Sequence, residues 1–314
     1  MSNFPDFRTD DRWIRSHRGP KSSVDPRFPN GYFSEWERSS QGKVEKTSTV
    51  LLTNRECRFT CLMCDLWKHT TDVVLAPGLI SSQIRYALAR LPVAKQLKLY
   101  NSGSFFDPGA IPVEDYPEII SLAEEFSRVL VECNTALLGE HVLTFKNMLS
   151  ADLQVAMGLE IAHPQVLKSL NKPMTLDEFE RGVEFLGKND ITTRAFILAR
   201  PPFLSEEEGV EWACRSIDYA FQVGVEVCSV IPVRGGNGAL EVLAAGGYFQ
   251  EPVLSSLEQV LDYGVSLQKG NVFADLWDLE RFSQCPECFE ARKERLEKTN
   301  LNQQVQAPVK CECN

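Results

Sequence analysis

Several things are missing from this 314-residue chain, and each absence excludes something. No run of eighteen apolar residues occurs, so no membrane-spanning helix is expected. The first nineteen residues, MSNFPDFRTDDRWIRSHRG, are polar and aromatic and lack the apolar stretch of a secretory signal. The expected location is therefore cytoplasmic, where thiols stay reduced. Basic charge is short: 33 Lys and Arg stand against 43 Asp and Glu, a net charge of −10. That balance argues against a broad nucleic-acid-binding face but leaves room for a local basic pocket. No GxGxxG follows the first strand-like segment, which weakens a dinucleotide-binding reading. DLW recurs at 65–67 and 275–277 with nothing repeated around it, so no repeat architecture is indicated.

What is present reads as a globular α/β chain, long enough for one large barrel with appendages or two modest domains. Residues 1 to 44 are rich in Arg, Pro, Asp and Ser, with Trp13, Phe28, Tyr32, Phe33 and Trp36 among them. They read as an irregular extension packed on the rest through its aromatics. Six strand-like segments follow: 47–53, 94–100, 128–133, 153–160, 192–199 and 225–232. They are short, and several are nearly continuously apolar, as buried parallel strands are. Helical patterns lie between them at 81–91, 115–127, 138–152, 175–190 and 205–224. Thr175 with Glu178, and Ser205 with Glu208, have capping-box spacing, and Gly224 suits a helix end. The alternation predicts a parallel sheet with right-handed crossovers, a partial (β/α)6 TIM-like barrel over residues 45–275, with an open doubly wound sheet as the rival. Residues 276–314 form a cysteine-rich C-terminal segment: CPEC (285–288), a charged helix (289–298), a polar linker from Thr299, and CEC (311–313).

Ten cysteines in a chain of this length do not make a disulfide scaffold, and clustered reduced cysteines are read first as metal or redox sites. Cys57, Cys61 and Cys64 sit after the first predicted parallel strand, where barrel loops form active sites. Three thiolates leave one coordination position open, whereas a structural zinc site or an ordinary cubane cluster takes four protein ligands. Cys285, Cys288, Cys311 and Cys313 supply four soft ligands and read as a completed metal site, of zinc or a second iron–sulfur cluster. A redox disulfide at CPEC and a tail of free thiols are the alternatives. Cys133, Cys214 and Cys228 read as small core residues.

C-x3-C-x2-C in that position resembles the radical S-adenosylmethionine (SAM) superfamily. The resemblance implies a [4Fe–4S] cluster on Cys57, Cys61 and Cys64, with SAM chelating the remaining iron through its amino and carboxylate groups. It also implies reductive cleavage of SAM, a 5′-deoxyadenosyl radical that abstracts hydrogen, and an electron donor such as a flavodoxin or ferredoxin. The residue before the third cysteine, often aromatic in the family, is Met63 here, whose thioether can still pack against adenine. YNSGSFFDP (100–108) occupies the place of the glycine-containing segment that meets the methionine amino group, which carries that role to Ser102 and Gly103. GLEIAHPQVLKSLNKPMT (158–175) resembles a segment of the elongator-, MiaB- and NifB-type enzymes. It puts Glu160 at the end of a strand, toward a ribose hydroxyl or the methionine amino group. Arg194 and Arg200 are candidates for the SAM carboxylate or an anionic substrate, with rim salt bridges as the alternative. Arg234 and Asn237, in PVRGGNG (232–238), are candidates for adenine or substrate, the alternative being a mere connection.

RECRFTCLMCDLW, LKLYNSGSFFDP, NKPMTLDEF and RPPFLSEEEGVEWA are similar to a subgroup related to archaeosine-synthase radical subunits. That similarity implies a modified nucleoside of tRNA as substrate and a tRNA-modifying partner. A radical enzyme acting on a peptide or small metabolite is the first alternative, since no RNA-binding module is recognisable. A non-catalytic iron–sulfur or zinc protein is the second, with His69 as the fourth ligand of the first site.

Overall fold

The computed structural model describes residues 4–311. Eight strands form one sheet in strict sequence order: β1 (Gly31–Arg38), β2 (Val44–Leu51), β3 (Gln96–Tyr100), β4 (Arg128–Glu132), β5 (Asp152–Glu160), β6 (Thr192–Ala199), β7 (Val227–Pro232) and β8 (Asn271–Ala274). β1 runs antiparallel to β2, and every later pairing is parallel. A doubly wound sheet would reverse its strand order partway; this one never does. Right-handed crossovers in unbroken order keep the helices on one face and let the twisted sheet curl into a half-barrel. The curl is visible in a contact between strands far apart in the order: Arg194 on β6 reaches Glu37 on β1 at 2.6 Å.

The helices are α1 (Asp11–Ser16), α2 (Leu79–Leu88), α3 (Tyr116–Ala123), α4 (Glu140–Met148), α5 (Pro164–Ser169), α6 (Leu176–Lys188), α7 (Glu206–Gln222), α8 (Ala239–Ala245), α9 (Leu254–Ser266) and α10 (Pro286–Asn302). Both expected capping boxes form, Thr175 with Glu178 on α6 and Ser205 with Glu208 on α7. Gly224 follows α7 with φ +99°, a conformation that suits glycine. Alternate strand residues such as Leu97, Leu99, Val129, Val131, Val155 and Met157 are fully buried in the layer beneath the helices. A Cβ on Gly182 of α6 would lie 3.5 Å from the Met157 sulfur, so helix and sheet approach closely there. The intervening residues, Lys98, Leu130 and Ala156 among them, face the other side of the sheet. Among the described residues, no helix is long and apolar enough to cross a membrane.

Two segments differ from the sequence reading. Residues 31–38, expected to be irregular, form β1. Its alternation, GYFSEWER, puts only one face inside and leaves Trp36 exposed, so it lacks the apolar run of the parallel strands. The supposed polar linker from Thr299 belongs to α10, which continues to Asn302. Its last turn covers the free edge of β8. Val272 N–H donates to Gln303 Oε1 at 2.7 Å and Ala274 N–H to Asn300 Oδ1 at 2.9 Å. The same two side chains return bonds to the carbonyls of Val272 and Ala274 at 2.8 and 2.9 Å. An edge that would otherwise offer itself to another chain is thereby satisfied.

Candidate active site

The cysteine loop leaves the C-terminal end of β2 and is tied down by contacts from distant parts of the chain. Leu62 N–H donates to the Leu170 carbonyl at 2.9 Å, and Asn171 Nδ2 to the Thr60 carbonyl at 2.7 Å. Arg58 forks onto Asp107 at 2.5 and 2.8 Å. Arg15 reaches the Thr60 hydroxyl at 2.9 Å, and Arg18 and Lys21 hold Glu56 at 2.8 and 2.7 Å. Asn237 donates to the carbonyls of Leu62 (2.7 Å) and Cys64 (3.3 Å) while its oxygen caps Leu240 N–H at 2.8 Å. Asn237, expected to meet adenine or substrate, is therefore engaged in holding the loop that carries the thiols.

Cys57, Cys61 and Cys64 are half-buried. Burial pushes all three thiols up, Cys61 to about 11 and Cys64 further, with neighbouring thiols adding to the shift of the latter two. They would lose their protons only to a strong positive charge, as a metal provides. Next to them lies a buried ion pair: Lys172 donates to Glu160 at 2.6 Å. Burial pulls the Lys172 ammonium down, but Glu160 and the thiols of Cys61 and Cys57 outweigh it and raise it. Gly158 is required beneath this pair, since a Cβ there would collide with both Glu160 and Lys172.

The loop after β3 completes the mouth. A Cβ on Gly103 would stand 3.4 Å from Cys57 Cβ and 3.7 Å from its sulfur, so this glycine lies beside the first cysteine. Glu132, at the end of β4, accepts from Asn101 N–H at 2.7 Å and Gly103 N–H at 3.4 Å. Burial raises its carboxyl to about 7 despite these donors. Because a trans peptide sets its N–H and C=O in opposite directions, the Ser102 carbonyl points away from Glu132. The Asn101 side chain is completely buried, yet neither its oxygen nor its nitrogen has a partner. Ser102 (φ 53°) and Glu160 (φ 62°) hold left-handed conformations at the ends of β3 and β5, as does Arg200 (φ 50°) after β6.

The structure does not bring the three arginines to the thiols. Arg194 lies two positions before Phe196 on β6, in an ion-paired network: it holds Glu37 at 2.6 Å, and Lys98 holds Glu37 at 2.5 Å and Glu35 at 2.9 Å. Phe273 lies 5.3 Å from its guanidinium. Tyr100 and Phe196, two positions further along β3 and β6, stand with ring centroids 6.3 Å apart. Arg200 is taken by Glu206 at 2.5 Å and the Glu251 carbonyl at 2.8 Å, beside a recess of about 270 Å³ lined by Phe203, Tyr248 and Gln250. Arg234 pairs with Asp275 at 2.7 Å and with the Trp277 carbonyl. His69 is exposed. Cys133 and Cys228 are buried and Cys214 is half-buried against the core. Cys285, Cys288 and Cys311 come together, and Cys313 lies outside the described residues. Sequence reading missed Asn101, Glu132 and Lys172. An acid closing the apolar run RVLVE, and a lysine inside NKPMT, were the available signals.

No protein-family model matches the chain. An uncharacterized protein of Methanocaldococcus jannaschii is 24% identical over 294 residues, 86% of this chain and 80% of that one. The archaeosine synthase subunit beta of Methanosarcina acetivorans is 28% identical over 240 residues, 70% of this chain and 67% of that one. Among solved structures, the archaeal Elp3 of Methanocaldococcus infernus superposes with a TM-score of 0.53 at 14% identity, over 73% of this chain and 62% of that one, and shares its fold. With three cysteines at the mouth of this half-barrel, the chain resembles the radical SAM class of enzymes. Within that class it resembles the archaeosine synthase β subunits.

Proposed function

We propose that the protein abstracts hydrogen from a modified nucleoside in tRNA, using the mouth of the half-barrel. The observation that carries the reading is the set of groups sharing that mouth: three thiols, Gly103 beside one of them, and a buried amide, Asn101, without a partner. This donor set fits a [4Fe–4S] cluster held by Cys57, Cys61 and Cys64, with SAM as the ligand they leave out. Bound there, the two cofactors would supply a 5′-deoxyadenosyl radical.

The chain's own groups then have distinct tasks. The Ser102 carbonyl is turned away from Glu132 and is suited to accept from the methionine ammonium, with Glu132 fixing the loop through the amides of Asn101 and Gly103. The unpartnered Asn101 amide is suited to SAM's carboxylate or ribose. Glu160 is shared with Lys172, and the pair balances charge beside the thiols. Asn237 positions the cysteine loop. Arg194, Arg200 and Arg234 serve structure through their paired carboxylates.

Support for an RNA substrate is local. Arg15, Arg55 and Arg58 are exposed on and around the cysteine loop, a small basic rim on an acidic protein. A partner supplying most of the RNA contact suits that charge distribution, as do a cytoplasmic location and a flavodoxin- or ferredoxin-type electron donor. Residues 45–275 would carry the chemistry, with 1–44 and 276–314 bracing it.

The test is anaerobic reconstitution with iron and sulfide, reduction, and assay for 5′-deoxyadenosine. Wild type should form it and Cys57→Ala should not; a reduced wild type that binds iron but leaves SAM intact sinks the reading. Addition of tRNA should accelerate SAM cleavage more than peptides or small metabolites do. Arg58→Ala should lower the salt dependence of tRNA binding by roughly one phosphate contact.

A further inference from the structure

The second cysteine group has no place in that chemistry. Cys285 precedes α10, Cys288 lies in its first turn, and Cys311 returns to them along the tail. Their sulfurs all lie within 4.8 Å of one another, and those of Cys285 and Cys311 are 3.8 Å apart. A disulfide would need about 2.0 Å. Around one tetrahedral ion with Zn–S bonds of about 2.3 Å, neighbouring sulfurs stand about 3.8 Å apart. A cubane distributes its thiolates over separate irons and so spreads them wider. The burial of Cys285 and Cys288 suits a site with a structural role.

The surroundings show what such an ion would hold. The tail runs back along α10, and Arg295 binds it by donating to the carbonyls of Gln306 (2.8 Å) and Ala307 (3.1 Å). Arg292 and Arg295 fix the helix to α9 through Glu258 and Asp262, at 2.9 and 2.6 Å. The far end of α10 carries Asn300 and Gln303, which close the edge of β8, and its Leu301 carbonyl accepts from Arg38 of β1 at 3.4 Å. α10 thus touches both rims of the half-barrel, β1 and β8. Its own sequence is strongly polar, and few of its residues are buried, so apolar packing alone holds it weakly.

We propose that Cys285, Cys288 and Cys311 bind one zinc ion that clips the tail to the start of α10 and so holds that helix across the open side of the half-barrel. The ion closes the long loop between Cys288 and Cys311, and its binding energy becomes folding energy for a segment with little core of its own. The site is independent of the cysteine triad and stands whether or not the proposed activity does.

The experiment is zinc and iron analysis of the full-length protein purified anaerobically, as wild type, Cys57→Ala and Cys288→Ser. About one zinc per chain is expected in wild type and in Cys57→Ala, with iron lost only in the latter. Cys288→Ser should lose the zinc and keep the iron. Wild type without zinc, zinc unchanged in Cys288→Ser, or iron lost together with it would each overturn the proposal. Should Cys288→Ser not fold, wild type stripped with a chelator and refilled with Co²⁺ gives a second reading. Intense d–d bands and thiolate charge transfer support a tetrahedral thiolate site, and weak octahedral bands refute it. Hydrogen exchange on the stripped protein should rise at 271–274 and 286–302 and not at 152–160; equal protection with and without metal would show that the ion holds nothing.

Discussion

The lumen of the half-barrel contains two polar levels that obey opposite rules. In the lower one, charges are paired: Glu35 and Glu37 with Lys98, and Glu37 with Arg194. In the upper one, the Asn101 amide has no partner, and burial raises both the Glu132 carboxyl, to about 7, and the three thiols. Buried polar groups cost stability unless something satisfies them, so a closed network reads as structure and an open one as a place for a ligand. The two levels are neighbours along one stretch of chain: Lys98 on β3 is three residues before Asn101. Pairing, rather than residue type, separates scaffold from site.

The largest effect should come from opening the lower network. Glu37→Ala leaves Lys98 and Arg194 buried without their shared carboxylate. Removal of one member of a buried pair costs about 3–5 kcal/mol. Urea unfolding should report a loss of that size, while reconstituted iron stays at the wild-type level. Equal stability would mean that the pair is solvated and that the two levels do not differ as described.

The two levels should also separate by pH, measured as urea stability in a Cys57→Ala background where no cluster interferes. Burial raises Glu37, but Arg194 and Lys98 outweigh it and bring its carboxyl from 4.5 to about 2. Its contribution is present above pH 4.5 and is lost as pH falls through about 2. Glu132 runs the other way: its carboxyl is raised from 4.5 to about 7. Its contribution is present below pH 4.5 and is lost as pH rises through about 7. Glu132→Gln should therefore abolish the decline between these values and leave the acid limb alone. An unchanged decline would assign it to another group.

How much of this was legible in sequence follows from the same distinction. The parallel strands could be read because both faces are apolar or filled, as in LQVAMGLE. β1 could not, since its inner face carries Phe33, Glu35 and Glu37, whose partners lie on β3 and β6. The cysteine triad drew attention through its spacing and its place after the first predicted parallel strand. Arg194 was not: an arginine on a strand looks the same whether it meets a ligand or a carboxylate 157 residues away. Asn300 and Gln303 looked like a linker because their partners are backbone groups of β8, which leave no mark on composition.

The smallest effect is also the sharpest test of the comparison, because its sign differs. Asn101 places two polar atoms in a fully buried position where the protein offers them nothing. Asn101→Ala removes that desolvation cost, which is about 1–3 kcal/mol for an unsatisfied buried group, and leaves a small cavity that offsets part of it. The net expectation is a protein without SAM that is more stable by about 1 kcal/mol, by urea unfolding. The same variant should bind SAM several-fold more weakly by calorimetry on the reconstituted protein, since a side chain kept unpaired at a cost to folding is aimed at a ligand. Substitution in the lower level loses stability and keeps binding; here stability should rise and binding fall. If Asn101→Ala is destabilising and binds SAM as wild type does, the amide has a structural partner after all, and the upper level is scaffold like the lower.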